Sequence, residues 1–262
     1  MIIIFNIVRS VKYFLTAKYL KARHLFQINS SEIKLFNKDV FKGKNIIIIG
    51  PASSAMSYMS GENIDKFDFI IRINKSPLML EGKEDLIGSR TDILYHCFFE
   101  DLKDGGGPID FIKLADQKNK FIVYSYSEPS QEGIFFKTAL KYPGKSFYRV
   151  KKDFYKEIKK DYPAKWPTTG LQAILHLMGS DFKELHITGF TFFRTDYMSG
   201  YTSVNINESE MSRKQQIEKD GSHSFDGELN LFKKYYLKNK YKDIILDSFL
   251  CQIIQDTDSN EI

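Results

Sequence analysis

An α/β fold on a mostly parallel, Rossmann-like sheet with helices on both faces is what the sequence predicts, and three observations predict it. Lys44-Asn45-Ile46-Ile47-Ile48-Ile49-Gly50 is a continuous β-branched run ended by glycine, the pattern of a central strand buried on both faces. Similar short apolar runs recur downstream and alternate with helical stretches, as parallel crossovers require. The chain has 262 residues, 42% of them hydrophobic, enough to bury one sizeable core without a disulfide or metal staple.

The elements follow in chain order. Met1 to Phe26 interleaves Ile2, Ile3, Ile4, Phe5, Ile7, Val8, Val11, Phe14, Leu15, Tyr19 and Leu20 with cations. Its longest uncharged stretch is the first eight residues, far short of the ~20 that span a bilayer. A signal peptide places charge before the apolar run, and here the order is reversed. A basic amphipathic helix remains, able to lie on an anionic membrane surface or to pack on the domain with its cations solvated. A polar connector follows at Asn29, Ser30, Ser31 and Glu32, and the reading divides the chain into segment 1–42, one domain over 43–255 and a polar tail at 256–262.

After the first strand, Pro51-Ala52-Ser53-Ser54-Ala55 supplies small residues that permit close backbone approach and cap a helix. A first strand followed by such a turn is a common phosphate site, although no GxGxxG or P-loop pattern is present. Further strands are expected at 67–74, 92–96, 121–125, 184–190 and 244–247, with helices at 169–178 and 228–238. The polar stretch from Tyr197 to Gly221 reads as a long mobile loop.

Charge sorts the possible functions. The net charge is +5, yet residues 1–45 hold nine Lys/Arg against two acidic residues, which leaves the remainder at −2. A nucleic-acid binder spreads its basic groups over the folded body, so no nucleic acid is expected as a partner. Cys97 and Cys251 lie far apart without a CxxC, which points to a reducing compartment and away from a Cys-based zinc site. Asp256-Thr257-Asp258 has the form of a metal-binding DxD, but its polar setting reads as solvated carboxylates.

Three stretches carry a resemblance. Asp68-Phe69-Ile70-Ile71-Arg72-Ile73-Asn74-Lys75-Ser76-Pro77 with Gly88-Ser89-Arg90-Thr91 resembles the large sialyl motif of sialyltransferases. Pro167-Thr168-Thr169-Gly170 resembles the small motif, and His223 with Glu228 matches the H-x4-E of the very small motif. Together they span most of residues 44–230, and the first strand and its turn look like those of the Campylobacter-type bacterial enzymes. Pro51 and Ser54 stand where that family places asparagines, and no cysteine pair can form the disulfide that joins the two larger motifs in the animal enzymes. The histidine-bearing motif between small and very small has no clear counterpart in Tyr197–Tyr201.

The resemblance implies a GT-A-like variant of the fold and an inverting, metal-independent glycosyltransferase without a cofactor. It would move sialic acid, Kdo or a related nonulosonic acid from a CMP donor to a hydroxyl of a bacterial surface glycan, lipooligosaccharide or capsule. His223 is then the general base, a role suited to a ring with an unperturbed pKa near 6.5, and Glu228 orients a backbone or ring. Gly50, Ser53, Ser54, Asn74, Thr168, Thr169 and Gly170 form the nucleotide site, and Tyr197 and Tyr201 face sugar or phosphate. Taken without the resemblance, Thr168-Thr169-Gly170 is equally an ordinary helix cap, and Arg72 reads as structural. His96, His176 and His186 read as packed or solvent-facing. With residues 1–26 on an anionic surface, the expected location is cytoplasmic, peripheral at the inner membrane. A non-catalytic nucleotide-binding membrane module and another Rossmann-type nucleotide enzyme are the competing readings.

Overall fold

The computed structural model describes residues 2–26, 31–102, 106–126, 129–201, 210–219 and 221–258. In chain order the elements are α1 (Ile2–Phe26), β1 (Glu32–Leu35), β2 (Asn45–Ile49), α2 (Gly61–Ile64), β3 (Phe69–Ile73), α3 (Glu84–Ile87) and β4 (Ile93–Tyr95). Then come α4 (Phe111–Asp116), β5 (Phe121–Tyr124), α5 (Pro129–Lys141), β6 (Ser146–Arg149), α6 (Lys152–Lys160), α7 (Thr169–Met178) and β7 (Glu184–Thr188). Last are α8 (Glu210–Glu218), α9 (Phe225–Lys238), β8 (Ile244–Leu246) and α10 (Ser248–Asp258).

The eight strands form one sheet in the order β1-β6-β5-β4-β3-β2-β7-β8, and every pairing is parallel. The isoleucine run explains its own position. Ile46 and Ile48 enter the large cluster with α7 and α9, while Ile47 and Ile49 enter a smaller one beneath α2 and α3. Successive side chains of a strand point to opposite faces, so only a strand covered on both sides accepts four in a row.

From β2 the chain builds β3 to β6 on one side and returns to place β7 on the other. That reversal opens a crevice at the carboxyl ends of the strands, where α/β sheets bind ligands. Two glycines fix its floor. A Cβ on Gly50 would sit 2.2 Å from the Gly189 carbonyl oxygen, and Gly189 itself holds φ +73°, so the ends of β2 and β7 meet more closely than side chains allow.

Several expectations need correction. Part of segment 1–42 belongs to the sheet: β1 pairs with β6 along Glu32–Leu35, and buried Ser31 donates to the Ala139 carbonyl at 2.6 Å. The expected loop from Tyr197 to Gly221 contains α8, and Tyr197–Tyr201 is packed against the turn after β2, where Met198 N–H donates to the Pro51 carbonyl at 2.8 Å. Residues 202–209 and Asp220 of that stretch, and Asn29 and Ser30 of the connector, lie outside the described residues. The Asp256–Asp258 stretch forms the end of α10.

α1 is both docked and exposed. Ala17 and His24 are buried and Leu20 packs on the core, with the His24 ring 6.0 Å from Phe136 of α5. Val11, Phe14, Leu15, Tyr19 and Leu25 are exposed on the remaining surface of the helix, together with Lys12, Lys18, Lys21 and Arg23. Side chains of residues 1–10 lie outside the described ones. No described helix is long and apolar enough to cross a membrane.

Candidate active site

Two seams meet at the crevice. The first is the turn after β2, closed over by residues 196–201. Ser53 N–H and Oγ both donate to the Asp196 carbonyl, at 3.0 and 3.3 Å, and Ala52 forms an isolated bridge with Tyr197. The rings of Tyr197 and Tyr201 stack at 5.2 Å, and the Tyr201 hydroxyl reaches Asn74. Burial raises the pKa of both phenols well above the ordinary value, so each keeps the proton it would donate to an anion.

Asn74 ends β3 with φ +51°, a left-handed conformation that asparagine tolerates. Its Oδ1 accepts the Cys97 N–H at 3.0 Å and its side chain also pairs with the Tyr201 hydroxyl, so the amide NH2 keeps its second N–H for a ligand. The Ser54 Oγ is buried without a hydrogen-bond partner among the described residues, an orphan of the kind that marks a polar ligand's place. Ser53 differs: its hydroxyl is already committed to Asp196.

The second seam joins residues 162–170 to 221–228. Lys165 N–H donates to the Gly221 carbonyl at 3.1 Å, and Trp166 N–H to that of Ser222 at 3.0 Å. The Nδ1 of His223 lies 2.9 Å from the Trp166 carbonyl. A carbonyl only accepts, so Nδ1 carries the proton and Nε2 of the neutral ring keeps its lone pair. No partner of Nε2 lies among the described residues.

Glu228, in the first turn of α9, is fully buried and ties the seam together. Its Oε1 accepts the Thr168 N–H at 2.9 Å and the Tyr162 hydroxyl at 2.6 Å, and its Oε2 accepts the Thr168 hydroxyl at 2.8 Å. Burial raises the Glu228 pKa, while His223, Tyr162 and Thr168 oppose that rise. Its oxygens are occupied, so it orients Thr168 rather than reaching a substrate.

Thr168 is the N-cap of α7, its Oγ1 accepting the Leu171 N–H at 3.2 Å. The hydroxyl expected to bind an anion is therefore spent on Glu228 and the cap. Thr169 is buried beside Tyr126, with 3.3 Å between their hydroxyls. What α7 offers a ligand is backbone: the N–H groups of Thr169 and Gly170 have no acceptor inside the helix. A Cβ on Gly170 would sit 3.0 Å from the Phe190 ring.

The other singled-out polar residues are structural. Arg72 is fully buried and donates to the carbonyls of Arg90, Ile87 and Gly88 at 3.0, 2.6 and 3.1 Å; burial lowers its pKa to about 10. His96 accepts the Phe98 N–H on Nδ1 at 2.9 Å and donates from Nε2 to the Gly106 carbonyl at 3.0 Å, and burial pushes its pKa down to about 4. His176 shares a hydrogen bond with Tyr95 at 2.7 Å and is lowered by burial to about 3. His186 is nearly buried between Tyr58 and Glu184. Among the described residues no cluster of three His, Cys, Asp or Glu side chains has metal-holding geometry.

Known structures share this arrangement of sheet and crevice. A mammalian sialyltransferase in complex with Gal-beta-1-3GalNAc-ortho-nitrophenol superposes with a TM-score of 0.50 at 17% identity, over 91% of this chain and 85% of that one. The monofunctional alpha-2,3-sialyltransferase Cst-I from Campylobacter jejuni gives 0.51 at 16% identity, over 83% and 80%. The fold is sialyltransferase-like. It is a GT-A-like variant of the Rossmann sheet, as the three motifs imply. No protein-family model matches the chain, and neither does any curated protein sequence. In this sialyltransferase-like frame the large motif supplies Asn74 and a buried arginine, while the two smaller motifs form one hydrogen-bonded seam. Tyr162 is the residue of the seam that sequence reading missed. It is one of 15 tyrosines and stands outside all three motifs.

Proposed function

We propose that this chain is an inverting glycosyltransferase that moves a 2-keto sugar acid from its CMP donor to a glycan hydroxyl, with His223 as the general base. The observation that carries the reading is the bond from His223 Nδ1 to the Trp166 carbonyl, which puts the proton of the neutral ring on Nδ1 and leaves the Nε2 lone pair without a partner among the described residues. The Nε2 lone pair takes the acceptor hydroxyl's proton as that oxygen attacks the anomeric carbon. The bond from that carbon to the phosphate oxygen breaks, and its electron pair leaves with CMP. A single displacement from the opposite face inverts the anomeric centre.

Tyr197 and Tyr201, held protonated by burial, donate to the departing phosphate. The first-turn N–H groups of α7 hold an anionic group of the donor. Asn74 and Ser54 supply polar contacts to the nucleotide, and Gly50 lets it approach the end of β2. Phenols and helix dipole together meet the charge that develops, so the proposed reaction is metal-independent and uses no cofactor beyond the CMP-sugar. Sialic acid, Kdo and related nonulosonic acids share the reacting keto-acid, and the proposed acceptor is a bacterial lipooligosaccharide or capsular glycan.

We also propose that the protein works at the cytoplasmic face of the inner membrane. Around α1 the exposed arc from Phe14 through Val11 to Tyr19 is bordered by Lys21 on one side and by Lys12 and Arg23 on the other, with Lys18 inside it. That is the pattern of a helix lying in an anionic interface. Because the opposite stripe covers α5, removing the helix would uncover Phe136. Changing Lys12, Lys18 and Lys21 to glutamine is the cleaner test. Co-sedimentation with anionic vesicles should weaken by about 100-fold, at ~1 kcal/mol per cation, and unchanged binding would reject the anchor.

The experiment that tests the activity is a donor-hydrolysis screen with CMP-Neu5Ac and CMP-Kdo, followed by transfer to acceptor. Hydrolysis of one donor, lost in His223→Ala, is the expected result. CMP binding with neither donor turned over would instead mark a non-catalytic module.

A further inference from the structure

We infer that Tyr162 is a positioning residue for His223, holding the base and the helix cap of the nucleotide side at a fixed separation through one hydroxyl. The inference rests on the reading of His223 as the base.

Tyr162 follows Asp161, the C-cap of α6, and is 4% exposed. Its hydroxyl donates to Glu228 Oε1 at 2.6 Å and accepts the Ser224 N–H at 2.8 Å. Both bonds run from the 162–170 arm to the first turn of α9, where Ser224 and Glu228 lie one turn apart, and each continues to a different part of the site. Glu228 grips Thr168, the cap of α7, and Ser224 is the residue after His223 and the N-cap of α9. A phenol has one proton to give and can still accept, so both roles are filled at once and in one polarity. Burial and the Glu228 charge keep that proton on the phenol, which excludes Tyr162 as an acid or base.

The His223 ring hangs from a single described bond, to Trp166, so its aim depends on the backbone that carries it. Before the histidine, Lys165 and Trp166 clamp Gly221 and Ser222. After it, the backbone N–H of Ser224 is held by Tyr162. Losing the second clamp lets the ring drift relative to α7 and to the donor seated there. A displacement near 1 Å costs on the order of 10²-fold in rate, while a nucleotide bound by the turn after β2 and by α7 is unaffected.

The test compares Tyr162→Phe, His223→Ala and the double variant for sugar transfer, donor KM and calorimetric CMP affinity. Tyr162→Phe should lower kcat by roughly 10- to 100-fold, with donor KM and CMP affinity within about threefold of wild type. On the His223→Ala background it should cause no further loss, because a positioning residue acts only through the group it positions. A full rate in Tyr162→Phe, a loss of CMP affinity matching the loss of rate, or losses that multiply in the double variant would each overturn the assignment. A His223→Ala enzyme with full transfer would instead overturn the reading of the base. Hydrogen exchange of the wild-type Ser224 amide tests the bridge without any substitution. A protected amide supports it and a fast-exchanging one overturns it, even if Tyr162→Phe does not fold.

Discussion

The turn at residues 65–92 and the seam at 162–228 are both dense in charged and polar side chains, and they use them in opposite ways. In the turn, Asp65 accepts from Ser89 N–H and Oγ, Arg90 donates to the Asp65 and Phe67 carbonyls and to Asp92, and Arg72 donates to three carbonyls. Most groups there are answered by another within the stretch; Asp92 Oδ1 meets Lys120 from outside it, and Nη1 of Arg72 is buried without a hydrogen-bond partner among the described residues. In the seam, hydrogen bonds converge on Glu228 and Trp166 and stop at the ring of His223. A network that closes on itself stabilises a fold. One that ends in an unanswered lone pair presents chemistry. Residue types alone do not separate the two, since Arg72 and Arg90 look as functional in a list as His223 does.

Substitutions can break that contrast, and His223→Ala should have the largest effect. Transfer is expected to fall by roughly 10²–10⁴-fold, the span of a lost general base, with CMP affinity and melting temperature close to wild type. Transfer kinetics, calorimetry and a thermal melt read the three quantities. Arg72→Met should do the reverse. Three buried carbonyls lose their donor, so denaturant stability should drop by about 3 kcal/mol, while the rate per folded molecule is kept. A loss of rate without loss of stability would move Arg72 into the site.

His96 supplies a pH-dependent version of the closed network. Both of its nitrogens are engaged, and its folded pKa of about 4 lies below the ordinary 6.5. The folded state therefore binds fewer protons than the unfolded chain between these values, and stability falls as pH drops through that window. The loss should approach about 3 kcal/mol near pH 4, and urea midpoints across pH should be flatter in His96→Gln.

The smallest effects should separate two adjacent threonines. Thr168→Val removes the α7 cap and a bond to Glu228, and should cost the fold ~2 kcal/mol. Thr169→Val removes only the contact between two buried hydroxyls, so it should cost the fold less, about 1 kcal/mol, and leave the CMP Kd near wild type, because α7 meets the donor with backbone N–H groups. Denaturation and calorimetry on the same pair decide it: equal losses of stability would erase the distinction, and a several-fold rise in CMP Kd for Thr169→Val would bring its hydroxyl into the site.

The strands of the sheet's centre were legible in the sequence because burial on both faces forces unbroken apolar runs, as in Ile46–Ile49. Its edge was not. β1 is Glu-Ile-Lys-Leu and β6 is Ser-Phe-Tyr-Arg, half-exposed strands whose polar faces resemble a connector. α8 was hidden for a related reason: Glu210–Glu218 has no apolar stripe for a periodicity to find. At the site, His223, Glu228 and Asn74 could be picked out by residue type and motif. The use of the Thr168 hydroxyl could not, because its partner lies 60 residues away. Nor could the tautomer of His223, which is set by a backbone carbonyl that carries no residue identity.

The meeting of Gly50 and Gly189 restricts how this protein can change over generations. A side chain on Gly50 collides with the Gly189 backbone, and one on Gly189 meets the Gly50 oxygen at 2.7 Å and the Ala55 Cβ at 2.8 Å. Neither position can move first, and changing both adds the collisions together. Relief would need β2 and β7 to separate, which widens the crevice where the donor is proposed to sit. The route to a differently shaped pocket therefore runs through the loops above this floor, at Ser53, Ser54 and Tyr197–Tyr201, where a substitution can alter what is bound while the strands keep their register.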